Sequence, residues 1–149
     1  MTRTIHLDAN IHVAPQLVAD DFAMIAAAGF RSVVCNRPDG EAEDQLPSGT
    51  AQKLAERAGL EFRYQPVAGY ETSEDDVVHM FSDLAAKLPG PILFYCRTGT
   101  RCTLLWAQSA APGLGTDTVT RIAAAAGYDL TPIAEILADR ESQAAAMAA

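Results

Sequence analysis

The sequence predicts a single α/β domain, and three observations point to it. Short apolar runs bounded by Gly, Pro and Asp alternate with longer helical stretches, the pattern of a sheet layered with helices. Two of those helical stretches stop at Gly29 and Gly59 and pass directly into apolar segments, as a helix closed by a left-handed cap and followed by a strand does. The chain has 149 residues, a length that fits one domain with a real core, and it contains neither an internal repeat nor a linker.

In chain order, a first short strand is expected at Ile11 to Val13. Asp20 and Asp21 open a helix that runs through Ala28 to its stop at Gly29. Phe30 to Asn36, centred on Val33 and Val34, reads as a buried strand, and Arg37-Pro38-Asp39-Gly40 is a turn. A helix from Thr50 to Ala58 follows, then a strand from Leu60 to Val67 whose end is weakened by Pro66. Ser73 is the expected cap of a long helix from Glu74 to Leu88, with acidic residues in its first turn to suit the helix dipole. Pro89-Gly90 breaks it, and Pro91 to Tyr95 is a compact buried strand. A loop then leads to an apolar helix, Thr103 to Gln108. Another helix starts at Thr116 or Asp117 and ends at Gly127, and Thr131-Pro132 starts the last one. The alanine-rich tail, Glu141 to Ala149, is expected to fray.

Composition narrows the function. Hydrophobic residues make up 49% and charged residues 20%, which excludes a disordered chain. No apolar run reaches the ~20 residues needed to span a bilayer, so no membrane insertion is expected. Met1 to Gln16 lacks the apolar core of a secretory signal, and the expected location is cytoplasmic. The net charge is −8 with no basic stripe, which argues against nucleic acid. His6, His12 and His79 have no metal-ligand spacing with cysteines or carboxylates, so neither a metal nor a cofactor is expected. The three cysteines, Cys35, Cys96 and Cys102, are an odd number and read as thiols rather than a disulfide framework. Oligomeric state is left open.

The chemistry concentrates in Cys96-Arg97-Thr98-Gly99-Thr100-Arg101. A buried strand that feeds a short glycine-containing loop and then a helix N-terminus is a general anion-binding design, because unpaired N–H groups converge there and the helix dipole adds positive potential. A cysteine at the head of such a loop has its thiolate stabilised and its pKa lowered, which makes it a nucleophile. Gly99 lets the backbone bend and approach a ligand, and Arg101 can clamp an oxyanion with two parallel hydrogen bonds. Cys96 and Arg101 are therefore the candidate catalytic pair. Thr98, Gly99 and Thr100 supply the anion-binding backbone, and Arg97 either faces solvent or recruits an anionic substrate.

The segments Val33 to Glu41, Pro66-Val67, Phe94 to Arg101 with Leu104-Leu105-Trp106, and Gly127-Tyr128-Asp129-Leu130 are similar to those of the phosphatase-like domain family of beta-lactamase-hydrolase-like proteins. That family is a bacterial branch of the cysteine phosphatase fold. The resemblance implies a central, mostly parallel sheet of about four or five strands, with the Asn36 to Glu41 loop at the same sheet edge as Cys96.

Against the family's pattern, three departures bear on the reaction. Cysteine phosphatases usually place five residues between the cysteine and its arginine; here there are four, the spacing of rhodanese-type sulfurtransferases. Tyr95 precedes the nucleophile where phosphatases commonly have histidine. No aspartate lies in Val67 to Thr72, the stretch comparable to the phosphatase acid loop, although Glu71 stands there as a substitute. A general acid is typically worth 10²- to 10⁴-fold. Sulfur transfer needs it less, because sulfite leaves as a stable anion. The expected activity is therefore transfer of sulfane sulfur from thiosulfate or a persulfide, through a Cys96 persulfide, to a thiol such as glutathione. A dual-specificity-like phosphatase is the rival enzyme, and a thiol redox or partner-binding module is the non-enzymatic alternative.

The remaining candidates carry two readings each. Cys35 is a core cysteine or a second thiol that receives sulfur from Cys96; Cys102 packs on the sheet or resolves an oxidised Cys96. Arg37 binds an acceptor, holds the cysteine loop or lies on the surface. Asp39 is a proton donor in the phosphatase reaction or a turn residue. Trp106 is expected in the core.

Overall fold

The computed structural model describes residues 2–148. Five strands form one sheet: β1 (Ile5–Asp8), β2 (Ile11–Ala14), β3 (Ser32–Cys35), β4 (Glu61–Tyr64) and β5 (Ile92–Tyr95). Six α-helices surround it: α1 (Asp21–Ala27), α2 (Ser48–Arg57), α3 (Asp75–Lys87), α4 (Thr100–Leu114), α5 (Thr116–Ala125) and α6 (Ala134–Ala148). The strand order is β1-β2-β5-β3-β4, with β1 antiparallel to β2 and every other pair parallel. Ala14 pairs with Tyr95, Tyr95 with Cys35, and Cys35 with Tyr64. The four parallel strands thus end in line, and the loops after β2, β3, β4 and β5 leave from one edge. In open parallel sheets that edge is where ligands bind.

Both faces of the sheet are covered, which explains why β3 and β5 read as continuous apolar runs. Side-chain alternation along a strand divides the core in two. Val33, Cys35, Leu93 and Tyr95 pack with α1 and α2 through Phe22, Ile25, Ala51 and Ala55. Val34, Ile92, Phe94 and Cys96 pack on the opposite face with Phe81, Leu105, Trp106, Val119 and Leu137 of the other four helices. Trp106 is buried in this second core, as expected.

Five features differ from the sequence reading. The strand β1 was not expected, because the alternating His6 and Asp8 of an edge strand give little apolar signal. The helix α4 begins at Thr100 inside the cysteine loop and runs to Leu114, beyond the expected Thr103 to Gln108. Pro47 is extended and α2 starts at Ser48, two residues before Thr50. The N-terminal cap position of α3 is Glu74, with no side-chain cap; the Ser73 carbonyl instead accepts a hydrogen bond from Arg140. The expected strand to Val67 shortens to Tyr64, since only single hydrogen bonds, Gln65 N–H to Cys35 and Val67 N–H to Asn36, continue along β3.

The helix α6 continues through the alanine-rich stretch to Ala148, and only Ala149 of the stretch expected to fray lies outside the described residues. Two side chains hold it. Glu141 accepts hydrogen bonds from Thr116 N–H at 3.0 Å and Thr116 Oγ1 at 2.6 Å, capping the start of α5. Arg140 donates to Gln108 Oε1 at 3.1 Å, Ser73 O at 2.9 Å and Asp75 Oδ1 at 3.0 Å. Among the described residues no helix is long and apolar enough to cross a membrane.

Replacing Arg140 by alanine leaves the buried Gln108 Oε1 and the Ser73 carbonyl without their donor, a loss of about 2 kcal/mol. The exposed Asp75 partner adds little. Urea unfolding of Arg140→Ala is expected to show that decrease, and undiminished stability would mean that α6 is not held there.

Candidate active site

Cys96 follows the last residue of β5, and its N–H still reaches the Ala14 carbonyl at 3.3 Å. The chain then turns sharply at Gly99, whose φ of 87° is left-handed, and enters α4 at once. A side chain at that φ is strained, and a Cβ there would lie 2.2 Å from the Tyr128 hydroxyl, so only glycine fits. The loop and the first turn of the helix are therefore one unit. Gly99 N–H donates to the Cys96 sulfur at 3.1 Å.

The Cys96 sulfur is nearly enclosed, with the residue 1% exposed, yet its thiol is held down to about 5. The largest cause is a hydrogen bond from the Cys102 thiol; the N–H groups of Cys102, Thr98 and Gly99 add to it, and burial opposes them. Cys102, fully buried, is pushed the other way by desolvation and by this same hydrogen bond, so it keeps its proton. Its thiol also lies 3.3 Å from Asn36 Oδ1. The Asn36 amide is fixed in turn by donating to the Gln65 carbonyl at 2.9 Å.

Around the thiolate, a single carboxylate ties the loop after β3 to the first turn of α4. Glu41 accepts Arg101 Nη2 at 2.7 Å and Nη1 at 2.8 Å, a bidentate pair, and Arg37 Nε at 2.9 Å. Arg101 Nη1 also donates to the Val67 carbonyl at 3.0 Å, and Arg37 Nη1 to Gln16 Oε1 at 3.1 Å. Gln16 N–H reaches the Arg97 carbonyl at 3.2 Å. The loops after β2, β3, β4 and β5 are thereby tied to one another. Hydrogen bonding from Arg101, then from Arg37, holds the Glu41 carboxyl down at about 2 against partial burial. These contacts use three of the five guanidinium donors of Arg101, leaving Nε–H and one Nη2 N–H for an anion.

Of the residues singled out from sequence, the structure brings together Cys96, Gly99, Arg101, Cys102 and Arg37. Arg97, Thr98 and Thr100 lie on the exposed rim, where the two threonine hydroxyls bond each other at 2.9 Å. Cys35 sits on the opposite face of the sheet from Cys96, since they occupy positions of opposite alternation, and burial pushes its thiol up. Asp39 accepts Ser48 N–H at 2.8 Å and Ser48 Oγ at 2.6 Å, closing the start of α2. Glu71 accepts the Ala68 N–H at 2.8 Å, closing its own 3₁₀ turn, Gly69–Glu71. Sequence reasoning gave no role to Glu41, Gln16, Asn36 or Tyr128. Asn36, Glu41 and Tyr128 lie within the segments that carry the family resemblance, whereas Gln16 carried no signal. Among the described residues no cluster of His, Cys, Asp and Glu is arranged to hold a metal.

A mostly parallel sheet, a thiolate at the end of a central strand, and an arginine in the first turn of the next helix define the cysteine-phosphatase-like class of enzyme folds. Within it, the chain belongs to the family described as beta-lactamase hydrolase-like protein, phosphatase-like domain, which matches residues 3–113. A beta-lactamase hydrolase-like protein of Xylella fastidiosa strain 9a5c is 32% identical over 130 residues, covering 86% of this chain and 30% of the relative. The chain thus spans 30% of that curated relative's length. A crystal structure of a phosphatase candidate from Neisseria meningitidis Z2491 is 37% identical, with a TM-score of 0.83 over 91% of this chain and 96% of that one. Kinase associated phosphatase, solved with its catalytic cysteine replaced by serine, shares the fold alone: TM-score 0.73 at 14% identity, over 91% of this chain and 88% of that one.

Two outcomes are expected from titration. Alkylation of Cys96 by iodoacetamide, followed by mass spectrometry, rises with a midpoint at about pH 5; a midpoint in the ordinary thiol range would remove the thiolate. Glu41→Gln destabilises the protein at pH 7. The Glu41 carboxyl is lowered from 4.5 to about 2 on folding, so its contribution is complete above the unfolded value and lost as pH falls through about 2. The stability gap between the variant and the native chain, read by urea unfolding, is therefore expected to close as pH drops below about 4.5.

Proposed function

We propose that this chain is a cysteine-dependent sulfurtransferase. The observation that supports this best is the size of the anion loop: four residues separate Cys96 from Arg101, and the helix already begins at Thr100. The state of the two candidate acids supports it as well. Asp39 and Glu71 are both engaged in closing backbone turns, and a phosphate ester needs a proton on its leaving oxygen. Sulfite needs none.

In this reading the Cys96 thiolate attacks the sulfane sulfur of thiosulfate. A new S–S bond forms to Cys96, the S–S bond of thiosulfate breaks, and sulfite leaves with the electron pair. The free donors of Arg101 and the N–H groups of the loop hold the sulfonate oxygens and the charge that grows on them. A thiolate acceptor such as glutathione then attacks the outer sulfur of the Cys96 persulfide, leaving with it and restoring the Cys96 thiolate. Exposed Arg97 stands at the rim where a carboxylate-bearing acceptor would arrive.

The second reading is phosphate ester hydrolysis through a phosphocysteine, and the likeness to the Neisseria meningitidis phosphatase candidate favours it. It requires Asp39 or Glu71 to leave its turn and serve as the acid.

The deciding measurement is intact mass after brief exposure to thiosulfate. A gain of one sulfur on the native chain, absent from Cys96→Ser and removed by glutathione, is expected. No adduct, together with Cys96-dependent release of phosphate from an aryl phosphate, would replace sulfur transfer by hydrolysis. Arg101→Ala is expected to lower kcat/KM for thiosulfate by about 10²- to 10³-fold, as loss of an oxyanion donor does.

A further inference from the structure

We propose that Tyr128 is a positioning residue of the active site: by holding the Thr98 carbonyl it fixes the Thr98–Gly99 peptide plane and so aims the Gly99 N–H at the Cys96 sulfur. The Tyr128 hydroxyl donates to Thr98 O at 3.1 Å. Thr98 C=O and Gly99 N–H belong to one planar trans peptide unit, in which the two groups point in opposite directions. Fixing the carbonyl at one end therefore fixes the N–H at the other, and that N–H is the one found 3.1 Å from the sulfur.

Such a constraint is needed here. Gly99 has no side chain to resist rotation of the peptide, and a flip would turn a carbonyl oxygen toward the thiolate. The hydroxyl also occupies the space a Gly99 Cβ would fill, 2.2 Å from that position, so Tyr128 and Gly99 are matched in shape.

Tyr128 is itself held rigidly from both sides. Gly127, with φ of 96°, ends α5 in a double hydrogen bond: Gly127 N–H to Ala124 O at 3.0 Å and Tyr128 N–H to Ala123 O at 2.8 Å. On the other side, Asp129 Oδ1 accepts Thr131 N–H at 2.9 Å and Thr131 Oγ1 at 2.6 Å. The tyrosine thus projects from a fixed corner between α5 and the next turn. Burial and the nearby Cys96 charge both push its own hydroxyl up, so it remains a donor at neutral pH.

The titratable groups around the Cys96 sulfur are Arg101 and Cys102 from α4, Cys35 across the sheet, and Tyr128. Removing the Tyr128 hydroxyl leaves the other three in place. In Tyr128→Phe the pH midpoint of Cys96 alkylation is expected to rise by about one unit, as the carbonyl is freed and the N–H drifts from the sulfur. Urea unfolding of the variant checks that the fold is retained, and Tyr128→Leu, which also lacks the hydroxyl, is expected to shift the midpoint in the same direction. An unchanged midpoint in Tyr128→Phe overturns the proposal, as does a shift in Tyr128→Leu alone, which would assign the effect to the ring. The readout involves no turnover, so it stands apart from the choice between sulfur and phosphate. A native midpoint in the ordinary thiol range would overturn the thiolate loop and this inference together.

Discussion

Everything at this site depends on keeping a negative sulfur in a place where water cannot solvate it. An unpaired buried charge costs several kcal/mol, so the protein must surround it with donors that need no rearrangement. It does so with groups fixed by the backbone: the loop N–H groups and a buried thiol from the same helix turn. That demand accounts for the left-handed glycine, the early start of α4 and the placement of Cys102 facing the sulfur rather than the interior at large.

The second organising element is the Glu41 carboxylate. The four strand ends deliver their loops to one edge, but loops at an edge have no ladder to hold them. Glu41, with Arg37, Arg101 and Gln16, supplies side-chain cross-links in place of a ladder. The pairing also sets the guanidinium of Arg101, so that its remaining donors are oriented before any anion arrives. An arginine free to rotate would lose side-chain entropy on each binding event, up to about 2 kcal/mol.

Much of this was legible in the sequence because it is local. The buried strands show as β-branched and aromatic runs, the helix ends as glycines, and the nucleophile with its arginine as one compact motif. The start of α4 was not legible, since Thr98-Gly99-Thr100-Arg101 has no apolar period and its glycine reads as a breaker. The reach of α6 to Ala148 was not legible because alanine, though the best helix former, gives no amphipathic signal; Leu137, Arg140 and Glu141 anchor the helix through contacts with distant residues. The bonds from Glu41 to Arg101 and from Tyr128 to Thr98 span 60 and 30 residues, and no spacing rule reaches so far. Alternation along the strands, by contrast, could have told Cys35 from Cys96, because neighbouring strands in register place them on opposite faces.

The sheet has two outer strands among the described residues, and each carries a feature that disrupts a flat edge. At one, the ladder between β1 and β2 slips between His6 and Asp8, so the outer strand is bent where a flat template would be needed. At the other, β4 turns Glu61 and Arg63 outward as an exposed charged pair. Kinked and charged borders are the devices by which β proteins avoid edge-to-edge polymerisation. The same sheet that lines up four loops for chemistry thus carries at both borders features that disfavour lateral growth.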